Sequence, residues 1–254
     1  MNPSLTITRL APWLLALGLV CAPPLRGAEP DLAAVAKDVA RIKPLLAHGE
    51  ELAGAYTGGD GSPIRLSQGD DYLRAVASSY LFADFRHHGS EDLVVAVEAP
   101  PDPARVESGG FGPRTLVIFT ATDQGSWTRS GNPNLLLDAS QGGLQGDPFS
   151  GFRLTHTGAF QVVHSGGSSD RWTITQTFQF RKDLKDFYQI GETRTELDTD
   201  KMTGHTLDWD FLTGVQELQT LHLNHHQPDP VTTKPGQVHP LVKFADAKCN
   251  LDDQ

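Results

Sequence analysis

The most regular pattern in the chain runs over Gly142–Gly191 and reads GGLQGDPFSGFRLTHTGAFQVVHSGGSSDRWTITQTFQFRKDLKDFYQIG. Within it, Arg171–Arg181 alternates strictly between two sets of residues. Such a period of two is typical of a strand with one buried and one solvated face. The first set is Trp172, Ile174, Gln176, Phe178 and Phe180, and the second is Thr173, Thr175, Thr177 and Gln179. We expect the first set to face a core and the second to face water.

Short turns divide this stretch into four strands. Thr157-Gly158-Ala159, Ser165–Asp170 and Lys182–Lys185 carry the glycine, serine and charged residues of tight turns. Because strands joined by short turns pair antiparallel, the stretch predicts a meander. Farther along, Thr206–Leu212 and Val215–His222 flank Thr213-Gly214 and predict a last hairpin.

Preceding segments add a helix and more strands. Asp31–Lys43 has apolar residues spaced three to four apart after an aspartate suited to an N-cap, which predicts a helix. Tyr72–Phe82, Asp92–Glu98 and Arg114–Thr122 are interpreted as containing strands, and Tyr56–Asp71 as a loop. The predicted fold is therefore mainly β (α+β): an antiparallel, sandwich-like meander with an N-terminal helix.

The chain of 254 residues is predicted to divide into four segments. These are a signal peptide (1–28), an N-terminal helical segment (29–55), a β-rich domain (72–222) and an extended C-terminal tail (223–254). The signal peptide is indicated by Leu10–Val20, an apolar run shorter than a membrane span and followed by small residues. We therefore expect a periplasmic or secreted protein. Cys21 leaves a lipoprotein as the alternative, although Val20 stands where a lipobox carries a small residue.

Charge and cysteine content narrow the classes of function. Without residues 1–28 the chain holds 19 basic and 31 acidic residues, a net charge of −12. This charge argues against nucleic acid or an anionic membrane as a partner. Only Cys249 remains after cleavage, which excludes an intramolecular disulfide and a cysteine zinc site. The sequence has no other long apolar run.

One candidate metal site lies in Asp84–Asp92, DFRHHGSED, directly before Leu93-Val94-Val95. The frame resembles the calcium turn of FG-GAP and VCBS-type repeats, D-x-[DN]-x-D-G-x-x-D-L. Asp84 and Asp92 occupy matching positions, but Arg86 and His88 stand where oxygen ligands belong. The candidate ligands are Asp84, His88 and Asp92. The favoured interpretation is a turn without a cofactor, in which Arg86 replaces the cation, and a calcium-stabilised module is the alternative.

A second candidate site is the turn after His164, which also holds Ser168 and Asp170. These are the residue types of a catalytic triad, but triad members normally come from separated segments, and no G-x-S-x-G motif occurs in the sequence. No catalytic residue is therefore assigned. The candidate residues for binding a ligand or partner are His164, Ser168, Asp170, Arg171, Thr173 and Thr175.

Together these motifs resemble a group of uncharacterised exported bacterial proteins. The shared pattern is the Asp-rich turn followed by a GDPF…HxGGS…RW…FxFR…FYxIG…FLTG meander, over about Tyr72–Leu218. The resemblance implies an exported, non-catalytic domain. We therefore predict a binding or interaction protein with a protein partner. One form would be an immunity-type inhibitor whose acidic face neutralises a secreted toxin. The alternative is a hydrolase with an unrecognised site.

Overall fold

The computed structural model describes residues 29–58, 63–66, 68–100, 112–223, 230–235, 238 and 240–251. The predicted signal peptide lies outside these residues. The described helices and strands follow one another along the chain as α1 (Leu32–Ile42), β1 (Glu51–Leu52), β2 (Tyr56–Gly58), β3 (Pro63–Arg65), α2 (Asp70–Val76), β4 (Tyr80–Ala83), β5 (Asp92–Glu98), β6 (Arg114–Ala121), β7 (Trp127–Asn132), β8 (Phe149–Leu154), β9 (Phe160–Gly167), β10 (Asp170–Arg181), β11 (Asp186–Asp198), β12 (Thr203–Asp210), β13 (Val215–His222), β14 (Val231–Pro235) and β15 (Val242–Lys243). No helix in the described parts of the chain is long and apolar enough to cross a membrane.

The strands form two antiparallel sheets, as the sequence predicts. The first sheet has the order β1-β5-β6-β7, with β4 also pairing with β5. The second has the order β14-β13-β12-β11-β10-β9-β8, with β15 added along β11. β2 and β3 form a separate hairpin inside the segment that was expected to be a loop. The predicted fold class, mainly β with a meander and an N-terminal helix, is confirmed.

The two faces of the first sheet pack into two different hydrophobic cores. Leu93, Val95 and Val97 of β5 face the helices and are buried with Val35, Val39 and Ile42 of α1. Val94 and Ala96 point the other way and pack with phenylalanines of the second sheet. The first sheet therefore lies between the helices and the second sheet. This explains why β5 is apolar on both faces, whereas β10 is apolar on only one.

Helix α1 begins where the sequence predicts. The Asp31 carboxylate accepts hydrogen bonds from the backbone N–H groups of Ala33 and Ala34, at 3.0 and 3.3 Å. These bonds satisfy donors that have no partner within the helix.

Helix α2 was not predicted. The start of the expected strand region Tyr72–Phe82 is helical, and the strand is confined to β4. Tyr72 and Val76, four residues apart, are buried together on one side of α2. This spacing is helical rather than alternating.

The core face of β10 largely matches the prediction. Ile174, Gln176 and Phe178 are buried, and Phe178 stacks on Phe160 of β9 with ring centroids 5.3 Å apart. Trp172 differs, because it is only partly buried and packs in a small separate cluster with Ile174 and Cys249. We call the face that carries Ile174, Gln176 and Phe178 the inner face of the second sheet, and the opposite face the outer face.

The first sheet covers only part of this inner face. The shared core takes buried residues from β9, β10 and β11, including Phe160, Phe178 and Phe187. No described residue of β12, β13 or β14 belongs to it. The second sheet therefore extends beyond the first and leaves the inner face of β12–β14 without a covering sheet.

The segment of residues 240–251, the C-terminal segment, is integrated into the fold. This differs from the extended tail expected over 223–254. The side-chain amide of Asn132 donates to the carbonyls of Phe244 and Ala247, the latter at 2.9 Å. Phe244 is buried and makes an edge-to-face contact with Phe178. These contacts hold the C-terminal segment against the inner face.

A buried ion network joins the two sheets. The Arg114 guanidinium at the start of β6 binds Glu98 of β5 at 3.2 Å and Asp147, just before β8, at 2.5 Å. The side chains of Arg114 and Glu98 are both 1 % exposed. Burial alone would lower the pKa of Arg114, but the hydrogen bonds and charges of Asp147 and Glu98 raise it. Asp147 also accepts the backbone N–H of Phe149 at 2.9 Å, so the network fixes the first residue of the second sheet.

We expect Arg114→Met to lower the free energy of unfolding by about 3–5 kcal/mol, because it leaves the Glu98 carboxylate buried without its cation. Urea denaturation measures the loss. The double variant Arg114→Met/Glu98→Gln removes the buried charge and should recover part of it. A loss below about 1 kcal/mol for Arg114→Met would contradict a structural role for this network.

Candidate ligand-binding cleft and the predicted sites

The structure separates the residues predicted to bind a ligand. His164 lies on the inner face and is fully buried. Ser168 lies in the turn between β9 and β10, and Asp170 and Arg171 begin β10; all three are exposed. Thr173 and Thr175 lie on the outer face, opposite Thr195 and Thr193 of β11. These six residues therefore do not form one site.

The Ser168 turn has a structural explanation. Gly167 has a φ of +102°, and a Cβ added there would lie 1.9 Å from the carbonyl oxygen of Asp170. Only glycine fits this turn, which sets the register of β9 against β10. The His–Ser–Asp combination is therefore a product of the hairpin and does not assemble a triad.

His164 instead contacts Cys249 in the interior. Its Nε2 atom accepts the backbone N–H of Leu137 at 3.4 Å, and its Nδ1 atom lies 3.7 Å from the Cys249 Sγ. Burial lowers the pKa of His164 to about 4, and the charge of Arg114 acts in the same direction. Burial also raises the pKa of the Cys249 thiol to about 12. Both groups are neutral near pH 7, so the pair lacks the thiolate that a cysteine nucleophile needs.

The Asp84 side chain closes the Asp84–Asp92 turn. The Asp84 carboxylate accepts the backbone N–H groups of His88 at 3.0 Å and Gly89 at 2.8 Å. Although desolvation opposes it, these bonds hold the pKa of Asp84 below its usual range. The three predicted ligands converge, with one ligand atom from each of Asp84, His88 and Asp92 lying within 4.8 Å of the others.

The guanidinium of Arg86 lies among these ligands. Its Nε atom donates to both oxygens of Asp92 at 3.0 Å, and its Nη2 atom donates to Asp92 at 2.8 Å and to the carbonyl of Ala121. Nη2 is also 2.6 Å from His88 Nε2, while His88 Nδ1 is 2.9 Å from Asp84. One neutral tautomer of His88 satisfies both contacts. The geometry favours the interpretation in which an arginine supplies the positive charge at this turn.

A cleft that the sequence did not predict lies on the inner face of the second sheet, where the first sheet does not cover it. It has a volume of about 510 Å³, within the range of roughly 300–1,000 Å³ typical of small-molecule sites. β11 and β12 form its floor, and the C-terminal segment forms its wall. The lining residues are Gln189, Glu192, Arg194, Leu207, Trp209, Phe211, Val242, Asp246, Lys248 and Asn250.

A hydrogen-bonded carboxylate lies at the base of this cleft. Glu192 accepts from Arg194 Nε at 2.6 Å and from the amides of Gln176 and Gln189, each at 3.2 Å. The Gln176 amide also donates to the carbonyl of Lys248 at 2.8 Å, which ties the wall to the floor. The network orients Glu192 and compensates its charge.

Two aromatic side chains form the apolar part of the cleft. Trp209 and Phe211 are two residues apart at the end of β12 and are both partly buried. Their ring centroids are 5.6 Å apart with an interplanar angle of 73°. The cleft therefore combines aromatic surface with amide, carboxylate and cationic groups, the mixture typical of sites that bind polar organic ligands.

Sequence signals for the cleft exist but are weak. Glu192, Arg194, Leu207 and Trp209 are spaced two apart on their strands and so share a face with the core residues. That spacing shows which residues point inward but not that this half of the sheet lacks a cover.

Comparison with protein-family models, with curated proteins and with solved structures finds no match for the chain.

We expect Arg86→Ala to destabilise the protein by about 3 kcal/mol, because Asp92 is fully buried and would lose its cation. Chemical denaturation measures the change. Arg181→Ala, which removes a partly exposed ion pair with Asp183, is the matched control and should cost less than about 1 kcal/mol.

The interpretation in which Arg86 supplies the positive charge at this turn predicts that calcium leaves the melting temperature of the unmodified protein unchanged. A calcium-dependent rise that EDTA reverses would contradict it.

His164 predicts how stability depends on pH. Its pKa is near 6.5 in the unfolded chain and about 4 in the folded one, so the unfolded state binds the extra proton between these values. Stability is therefore retained above pH 6.5 and falls as the pH drops toward 4, by roughly 2 kcal/mol at pH 5. His164→Gln should flatten the pH dependence between pH 6.5 and 4.5. Equal slopes for the unmodified protein and this variant would refute the assignment.

Proposed function

We propose that this chain is an exported binding protein without catalytic activity, and that the cleft between β11, β12 and the C-terminal segment is its binding site. The observation that carries the proposal is the mixed chemistry of a cleft of about 510 Å³ on the uncovered part of the second sheet. Its carboxylate is held by three side-chain donors. Such a fixed, charge-compensated group is suited to recognition of a ligand.

Export is supported by the N-terminal apolar run and the small residues after it. Periplasmic or secreted location follows from that proposal. The net charge of −12 for the rest of the chain favours a neutral or basic partner. If the partner is a secreted toxin, the protein acts as an immunity-type inhibitor of that toxin. A protein partner would cover a surface wider than the cleft.

A thermal-shift screen of the mature protein tests the proposal. The panel contains neutral oligosaccharides, short peptides, nucleotides and fatty acids. A ligand at a hundred times its dissociation constant adds about 2.7 kcal/mol, which raises the melting temperature of a protein of this size by roughly 5–10 °C. At least one class should produce such a shift.

Two leucine substitutions localise the binding. Leu207→Arg places a long cationic side chain in the cleft and should abolish the shift. Leu218→Arg changes the cross-strand neighbour of Leu207, outside the cleft lining, and should leave the shift intact. Equal behaviour of the two variants, or no shift with any class, would reject the cleft as the site. Co-purification of a protein by both variants would point to the wider-surface form.

A further inference from the structure

We propose that the ligand of the cleft is a neutral carbohydrate, a short glycan of one to a few sugar rings. This inference rests on the proposed function, because it assigns a ligand class to the same site. Three observations lead to it: the balance of charge in the lining, the aromatic pair, and the geometry of the polar groups.

The charges of the lining cancel. Glu192 and Asp246 are acidic, and Arg194 and Lys248 are basic. Arg194 is engaged with Glu192 at 2.6 Å. A strongly charged ligand, such as a nucleotide, would meet groups of both signs and gain no net attraction. The lining therefore favours a ligand that is polar and uncharged.

The aromatic pair offers a surface for an apolar ring face. The C–H groups on one face of a pyranose ring form a flat apolar patch, while its hydroxyl groups project around the rim. Trp209 presents a large, rigid apolar surface at little conformational cost. Phe211, at an angle of 73° to it, makes an apolar corner. A fatty acid would also use this corner, but its chain offers no hydrogen bonds to the polar groups of the lining.

The polar groups fit the rim of such a ring. Gln189, Glu192 and Asn250 each carry a planar group with two donor or acceptor atoms, and Arg194 carries a planar guanidinium with five N–H donors. Such groups match adjacent hydroxyl groups. A hydroxyl group can donate to one of these groups and accept from its neighbour at once, which a fatty acid chain cannot.

Isothermal titration of the mature protein tests the ligand class. The probes are neutral oligomers of glucose and of N-acetylglucosamine, an oligogalacturonate as the anionic glycan, alanine tripeptide and AMP. A neutral oligomer should bind best, with an affinity that changes less than two-fold between 50 and 500 mM NaCl, because no net charge is neutralised.

Trp209→Ala should weaken that binding at least ten-fold, and Phe211→Ala should weaken it less. Trp127→Ala is the matched control, since Trp127 lies on β7 of the first sheet, is also partly buried, and is not part of the cleft lining. Its binding should be unchanged. Trp209→Phe, which keeps an aromatic ring, covers the case in which the alanine variant fails to fold, and should retain measurable binding.

The outcomes separate the two proposals. Binding of the tripeptide, AMP or the anionic glycan in preference to the neutral oligomers, abolished by Leu207→Arg, would overturn the carbohydrate assignment and keep the cleft as the binding site. Binding of no probe, together with a negative screen, would overturn both. Carbohydrate binding that is equal in the Trp209 and Trp127 variants would overturn the assignment to this cleft.

Discussion

The position of the second sheet depends on one buried cation. Arg114 binds Glu98 within the first sheet and Asp147 at the entry to the second, so a single guanidinium fixes how the two sheets meet. An ion network this deeply buried contributes little to net stability compared with apolar packing, but it strongly disfavours arrangements that separate its members. The aromatic core between the sheets supplies the apolar burial, and Arg114 ties the β8 end of the second sheet to the first. The part of the second sheet left uncovered, and with it the cleft, follows from that registration.

Local patterns in the sequence predicted the parts of the fold that depend on near neighbours. The alternation in Arg171–Arg181, the glycine turn before it and the Asp31 cap each act within a few residues, and each appears in the structure. The Asp84–Asp92 turn was also recognisable, and in the structure Arg86 binds Asp92 there. Helix α2 was missed because only two of its residues are buried, which gives too short a pattern to distinguish a helix from a strand.

The candidate site was much harder to predict, because it depends on contacts between distant residues. His164 was placed in a surface turn by its sequence neighbours, but the period of two along β9 directs it inward beside Cys249. Trp209 and Glu192 looked like ordinary strand residues. Their importance arises only because the first sheet stops short of them and the C-terminal segment packs opposite. Neither fact produces a periodic pattern of residues in the sequence.

The anchoring of the C-terminal segment also affects the order of events during folding. Asn132 reaches across 112 and 115 residues to Phe244 and Ala247, and Gln176 reaches across 72 residues to Lys248. Closing loops of this length costs more conformational entropy than pairing adjacent hairpins, so such contacts form late. A partly folded chain can therefore hold the meander together while the cleft still lacks its wall. Ligand binding then requires a fully folded molecule, and a bound ligand should selectively slow the local opening that releases this segment.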